Sequence, residues 1–596
     1  MNITKPFLLA ATAFTAVTAA APSYAQSAGD TADVRDGDTA ASRVIVFGDS
    51  LSDGGFFAAL GAAAPGGGSF TTNPDPVAPE VFSSQLGLTL DPVYGKNGTN
   101  YAVGGARVTA PNGFAPSITT QIDRYLASGS FRPGDVVYIQ GGGNDYFAFL
   151  AGGGANPAIL TNAADALAAQ VARLEQAGAP TIITMSVQSG GAAPLQAYNA
   201  RYKAQLAAQG SNVLYFDTDK LFNELVVDAA SFGITNVTGQ ACTTASSLNC
   251  TRNTLVSPNA NNTYILADSV HPAGISQRVQ GQAIASLYKA PEQIGILALS
   301  QQATLRRHRA AFENEQRNGL GQDGIALFGG IGYGYFDRDS SRTRIGGSEQ
   351  SVTGTLGVDI GMGERLGLGI VGGYSDGDGQ FDAGQGSFDS ETWMISGYGR
   401  AAIGPAKLIA DVTYGQGNLD TVRSVRLGPA LRQHSGSTDS DLFSASGALR
   451  IDLVNGPLLN FGPEAGVSYE KIDIDGFSEG DTLSTQASFG SQELESLTGR
   501  FGLVASGSMI GGTGFFVRGS YVHEFDDDPR SFSITPAGAP VSWSGDLGRL
   551  PRDYASVGMG VNGRIGPVGV RAQAGGEFGR GDLDAVNASA GLYLPF

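Results

Sequence analysis

From about residue 322 to the C-terminus the chain alternates apolar and small or polar residues with period two. Ile325-Ala326-Leu327-Phe328-Gly329-Gly330-Ile331-Gly332-Tyr333-Gly334-Tyr335-Phe336 is one such segment, and Leu366-Gly367-Leu368-Gly369-Ile370-Val371-Gly372-Gly373-Tyr374 is another. About twelve segments of this kind reach the end of the chain, separated by Gly/Asp/Ser/Asn clusters. Period two is the repeat of a strand with two unlike faces. Apolar or aromatic residues on one face and glycine or polar residues on the other, at the length a tilted membrane-crossing strand needs, point to strands facing lipid outward. In lipid every backbone group must be paired internally, and a closed barrel is the strand structure without an open edge. No continuous apolar span is present, so a membrane helix is excluded.

The first half has another rhythm. Strands are expected at Val44–Phe47, Val136–Gln140, Thr181–Ser186 and Val213–Asp217, and helices at Ala158–Gln176, Ala193–Ala208 and Ile275–Tyr288. Apolar strands alternating with helices predict a parallel sheet with helices on both faces. Between the halves, residues 292–318, with Arg306, Arg307 and Arg309, read as one polar helix. At the N-terminus Lys5, the apolar run Phe7 to Ala21 and the small-x-small pattern Ser23-Tyr24-Ala25 read as an export segment. The expected organisation is an export segment over 1–25, a flexible leader over 26–42, an α/β domain over 43–290, a linker helix over 291–320 and a barrel over 321–596. The net charge of -18 argues against a nucleic-acid partner. Cys242 and Cys250, close together in an exported chain, are expected to pair as a disulfide, and no histidine or further cysteine lies near enough to suggest a metal.

Chemistry is concentrated in four segments of the first half. Ser50 follows directly on the Val44–Phe47 strand, where reactive groups of open α/β sheets collect. His271 is the single histidine among residues 1–290, with Asp268 three residues before it. An acid so placed can orient the ring and stabilise the imidazolium that forms. Asn100–Arg107 and Gln140–Asp145 are glycine-rich and can supply preorganised donors for an oxyanion, with Gly105 offering a backbone N–H and Asn144 a side-chain amide. Asp53 is expected to support the loop after Ser50, and Phe56, Phe57, Phe147 and Phe149 either line an acyl pocket or belong to the core.

Taken in order, Gly48-Asp49-Ser50-Leu51, the glycine of Asn100–Ala106, Gly142-Gly143-Asn144-Asp145 and Asp268-Ser269-Val270-His271 resemble the blocks of the GDSL, or SGNH, hydrolase family. The resemblance implies Ser50 as nucleophile and Asp268 and His271 as the rest of the triad. It also implies an oxyanion hole of Ser50, Gly105 (with Gly104 as the other choice) and Asn144, with no cofactor or metal. The terminal strand Ala588–Phe596 resembles that of bacterial outer-membrane barrels, with Pro595 as a departure. An N-terminal domain, a helix and a barrel of this size resemble an autotransporter. That implies a three-layer α/β hydrolase passenger outside the cell on a twelve-stranded outer-membrane barrel, with the linker helix in the lumen and its arginines facing acidic residues. The partners so implied are an acyl-ester substrate, outer-membrane lipid and the barrel-assembly machinery, with the protein a monomer. Carboxylic esters are the first expected substrates. Phospholipids, lysophospholipids or acetylated sugars are the alternative, and an adhesive passenger is the third reading.

Overall fold

The computed structural model describes residues 41–596 apart from 320–322, 343, 364, 457, 510–512 and 527. The expected export segment (1–25) and all but the last two residues of the leader lie outside the described residues.

Four short strands, β1 Arg43–Phe47, β2 Asp135–Ile139, β3 Thr181–Met185 and β4 Leu214–Phe216, form a parallel sheet in that order. Beside β1, Val46 bonds to Thr99 and Tyr101, extending the edge by one short segment. Among the described residues seven helices of two turns or more accompany the sheet: α1 Ala78–Gln85, α2 Ile118–Ser128, α3 Gly143–Ala151, α4 Ala158–Gln176, α5 Ala193–Gln209, α6 Thr218–Val227 and α7 Gly274–Ile294. Successive strand residues point to opposite faces, and the packing follows. Val44, Val46, Val136 and Tyr138 meet Phe82, Leu221, Val279 and Ile284 on one side. Ile45, Phe47, Val137 and Ile139 meet Ile122, Leu167, Val171 and Tyr202 on the other. The result is the expected three-layer domain. β2 is buried at every position, as a central parallel strand should be.

The linker differs from the sequence reading of one helix over 292–318. α7 runs on to Ile294 with Pro291 inside it, α8 spans Ile296–Ala311 and α9 spans Glu313–Asn318. Proline costs a helix one N–H bond, but Ala290 and Ile294 are buried in the domain core and keep the last turn of α7 in place. The second break falls at Phe312, whose ring is buried and stacks on Tyr398 with centroids 5.5 Å apart.

Twelve long strands follow: β5 Gly324–Arg338, β6 Gly347–Met362, β7 Leu366–Phe381, β8 Gly386–Ile403, β9 Ala406–Leu427, β10 Ala430–Ile451, β11 Asn460–Ile474, β12 Gln492–Ser508, β13 Gly514–Glu524, β14 Asp553–Ile565, β15 Val568–Phe578 and β16 Leu583–Pro595. Each pairs antiparallel with the next, and β16 pairs with β5, so the sheet closes. Pro595 stands opposite Ala326 at the very end of that ladder, where a missing donor is tolerated. Leu366, Leu368, Ile370, Tyr374, Trp393 and Tyr414 face outward. Inside, α8 fills the lumen. Arg306 pairs with Glu470 at 2.7 Å and Glu577 at 3.0 Å, and Arg309 with Asp411 at 2.9 Å. Arg307 lies 4.0 Å from Glu349. Inward glycines make the fit possible: a Cβ on Gly334 would clash with Arg307 and one on Gly373 with His308.

The α/β domain sits on the barrel rim opposite the chain terminus. Ile275 and Val279 of α7 share one buried cluster with Leu427 and Ala430 of the β9–β10 hairpin. Phe489, Phe532 and Ile534, from a small sheet in the loops after β11 and β13, join the same cluster. Glu224 of α6 accepts from Arg432 at 2.8 Å and from the Ser484 amide at 2.7 Å.

Candidate active site

The segments singled out in the sequence converge at the carboxyl ends of β1 and β2. Ser50 lies three residues past β1, Asn144 in the first turn of α3 just past β2, and Asp268 and His271 in the approach to α7. The Ser50 hydroxyl is 2.9 Å from His271 Nε2. On the far side of the ring, His271 Nδ1 lies 2.9 Å from both carboxylate oxygens of Asp268. That carboxylate also accepts the amides of Ser247 at 2.6 Å, His271 at 2.8 Å and Val270 at 2.9 Å. Burial works to raise the Asp268 carboxyl, but its bond and charge pairing with His271 outweigh that and hold it well below the usual carboxylate range. Ser50 is itself nearly covered, 8% exposed.

The two glycines of the second segment are engaged differently. The Gly104 amide donates to Asp53 Oδ2 at 2.8 Å. Gly105, at φ +87, gives its carbonyl to Asn112, and its amide donates to no protein acceptor among the described residues; the Ser50 amide is likewise unengaged. Asn144 spends one amide hydrogen on the Ala106 carbonyl at 3.0 Å. Asp53 also accepts the Gly55 and Phe56 amides, tying the loop after Ser50 to the glycine segment. Burial pushes its carboxyl up to about 6 against the pull of those three amides.

Sequence reasoning missed further contacts, including that of Gln140, the first residue of the Gln140–Asp145 segment. Gln121 of α2 grips Gly48 through both its amide and its carbonyl, each at 2.9 Å. Gln140 donates to Asp49 at 2.6 Å. Phe70 lies against His271, with ring centroids 4.9 Å apart, and occupies the space a Gly104 side chain would need. Of the four phenylalanines weighed as pocket residues, Phe56 and Phe149 are buried core, Phe57 is half-buried beside Phe70, and Phe147 is exposed. Cys242 and Cys250 are bonded, with Cα atoms 5.7 Å apart. Among the described residues no cluster of three or more His, Cys, Asp or Glu side chains could hold a metal ion. The barrel lumen holds a cavity of about 140 Å³ bordered by Arg306, Arg309, Asp411 and Glu470, which no residue of the Ser50 site lines.

The family model described as GDSL-like Lipase/Acylhydrolase matches residues 44–284, and that of the Autotransporter beta-domain matches residues 327–577. Esterase EstA of Pseudomonas aeruginosa is 26% identical over 626 aligned positions, which cover 93% of this chain and 96% of that protein. Lipase 1 of Photorhabdus luminescens is 22% identical, over 77% of this chain and 81% of its own length. Among solved structures, the translocator domain of the autotransporter NalP from Neisseria meningitidis is 14% identical with a TM-score of 0.41, over 51% of this chain and 99% of that one.

Proposed function

Since residues 44–284 belong to the GDSL-like lipase/acylhydrolase family and residues 327–577 to the autotransporter beta-domain family, so that the chain is a carboxylic ester hydrolase exported on an outer-membrane barrel, we propose that Ser50, His271 and Asp268 are its catalytic triad. The observation that carries this reading is the unbroken line from the Ser50 hydroxyl through both ring nitrogens of His271 to the Asp268 carboxylate. His271 Nε2 takes the proton from Ser50 as its oxygen attacks the ester carbonyl, and Asp268 fixes the tautomer that leaves Nε2 free to do so. The ring then returns the proton to the leaving alcohol. In the second half it takes a proton from the water that attacks the acyl-enzyme.

The oxyanion is assigned to the amides of Ser50 and Gly105 and to the side chain of Asn144. Gly104 is set aside because its amide is already held by Asp53, whereas those of Gly105 and Ser50 are free to bind charge that appears only in the transition state. Residues 1–25 are assigned to export. The barrel is read as inserted by the outer-membrane assembly machinery and the protein as a monomer; closure of the sheet leaves no unpaired strand edge for pairing with a second copy.

Intact cells displaying the chain should hydrolyse p-nitrophenyl esters, and Ser50→Ala cells carrying the same amount of inserted barrel should not. Undiminished hydrolysis by Ser50→Ala would overturn the assignment.

A further inference from the structure

The chain after Gly105 closes into a tight turn. Asn112 and Ala115 exchange both backbone hydrogen bonds, at 3.1 and 3.0 Å, leaving Gly113 and Phe114 at the tip. Gly113 stands at φ +58, a conformation that glycine adopts without strain. The turn is firmly anchored. Asn112 Nδ2 donates to the Gly105 carbonyl at 3.0 Å, Ala115 is buried, and the Ile118 and Thr119 amides bond back to Arg107 and Val108. Yet Phe114 is 90% exposed.

A single exposed apolar side chain is ordinary. Here the ring is carried by a fixed turn fastened to the carbonyl of Gly105, the residue whose amide is assigned as an oxyanion donor. The other donor has a matching neighbour: Phe147, exposed, stands one helical turn after Asn144 on α3, and Leu150, also exposed, one turn further. Each oxyanion donor outside the Ser50 loop therefore has an exposed phenyl ring on the turn bonded to it or on the helix that carries it.

We infer that Phe114 and Phe147 form apolar lips that take up the acyl chain of the ester once its carbonyl is seated, and that Phe114 sets the preference for long chains. The inference rests on the assignment of Ser50, Gly105 and Asn144 given above. Contact with a hydrocarbon chain strengthens with every methylene covered, so the effect of Phe114 grows with chain length, whereas a residue that merely holds Gly105 in place acts on all esters alike.

The test uses cells displaying the full chain, assayed with p-nitrophenyl butyrate and dodecanoate both below and above their aggregation concentrations. Phe114→Ala should lower kcat/KM for dodecanoate relative to butyrate by about tenfold, and Phe114→Leu, which keeps an apolar side chain, should recover most of it. An unchanged ratio, or an equal fall for both esters, overturns the inference. A loss that appears only above the aggregation concentration also overturns it, by assigning the ring to the surface of lipid aggregates. Ser50→Ala, run alongside, separates the two readings: its activity bears on the triad, the chain-length ratio on Phe114.

Discussion

Ser50 is held in place mainly by its neighbours. Gly48 is gripped on both sides of its peptide by Gln121, Asp49 is fixed by Gln140, and Asp53 staples the following loop to Gly104. These contacts fix the backbone on both sides of Ser50, the proposed nucleophile. Asn144→Ala should lower kcat by about 10²–10³ with little change in KM, as expected for a donor that acts on the transition state. Asp268→Asn should lower kcat by roughly 10⁴, because the amide favours the wrong tautomer of His271. The two buried carboxyls should also mark the pH dependence of stability with opposite signs. Asp268 is depressed, so its contribution is present above its ordinary value of 3.8 and is lost as the pH falls through its lower folded value; thermal unfolding of the full chain in detergent should show a shallower acid loss in Asp268→Asn. Asp53 is raised, so its contribution is present below 3.8 and fades as the pH rises through about 6. At this scale the sequence displays Ser50, Gly105, Asn144, Asp268 and His271, because they lie in compact motifs at strand ends. The supporting roles of Gln121, Gln140 and Ser247 stay hidden, because each acts on a residue distant in the chain, 73 residues away for Gln121 and Gly48, 91 for Gln140 and Asp49 and 21 for Ser247 and Asp268.

Among the elements, the disulfide loop bears directly on the site. It encloses Ser247, whose amide is bound to Asp268, so the Cys242–Cys250 bond steadies a donor to the proposed triad acid. Replacing both cysteines by serine should cost about 2–3 kcal/mol by the loop-entropy estimate. It should also lower kcat several-fold, measured by urea unfolding and ester hydrolysis on the same preparation; full activity would show that Ser247 is held without the bond. In the lumen, Arg306 joins α8 to β11 and β15 through two carboxylates. Arg306→Ala removes a cationic partner from each, leaving Glu470 with Arg309 at 3.2 Å and Glu577 with Arg580 at 2.7 Å, and should destabilise the barrel by roughly 2 kcal/mol. Arg306→Ala combined with Glu470→Gln should recover part of that loss, as read from the heating temperature at which the folded band shifts on gels. The acidic partners of the arginines are legible only as a class, since the sequence shows where cations lie along a helix but not which strand faces them. The ends of the helices escaped the sequence for a related reason: whether Pro291 stops a helix is decided by what buries the turn after it.

At the scale of the molecule, enzyme and barrel share one hydrophobic cluster, closed at its edge by Glu224, Arg432 and Ser484. The enzyme is seated on the rim and not tethered by a free linker. Glu224→Ala should therefore make the junction several-fold more sensitive to added protease on intact cells, with hydrolysis of short esters retained until cleavage; equal sensitivity would assign the seating to the apolar contacts alone. By itself the sequence determined the two halves, their layer types and the ordered motifs of the candidate site, because hydrophobic periodicity and strand-end chemistry are local properties of a chain. Only the tertiary structure decided that β16 closes on β5, that the Gly104 amide is taken and the Gly105 amide left free, and that Phe114 stands exposed beside it. Each of these depends on which distant groups come into contact, and a contact between residues far apart in the chain leaves no periodic trace in it.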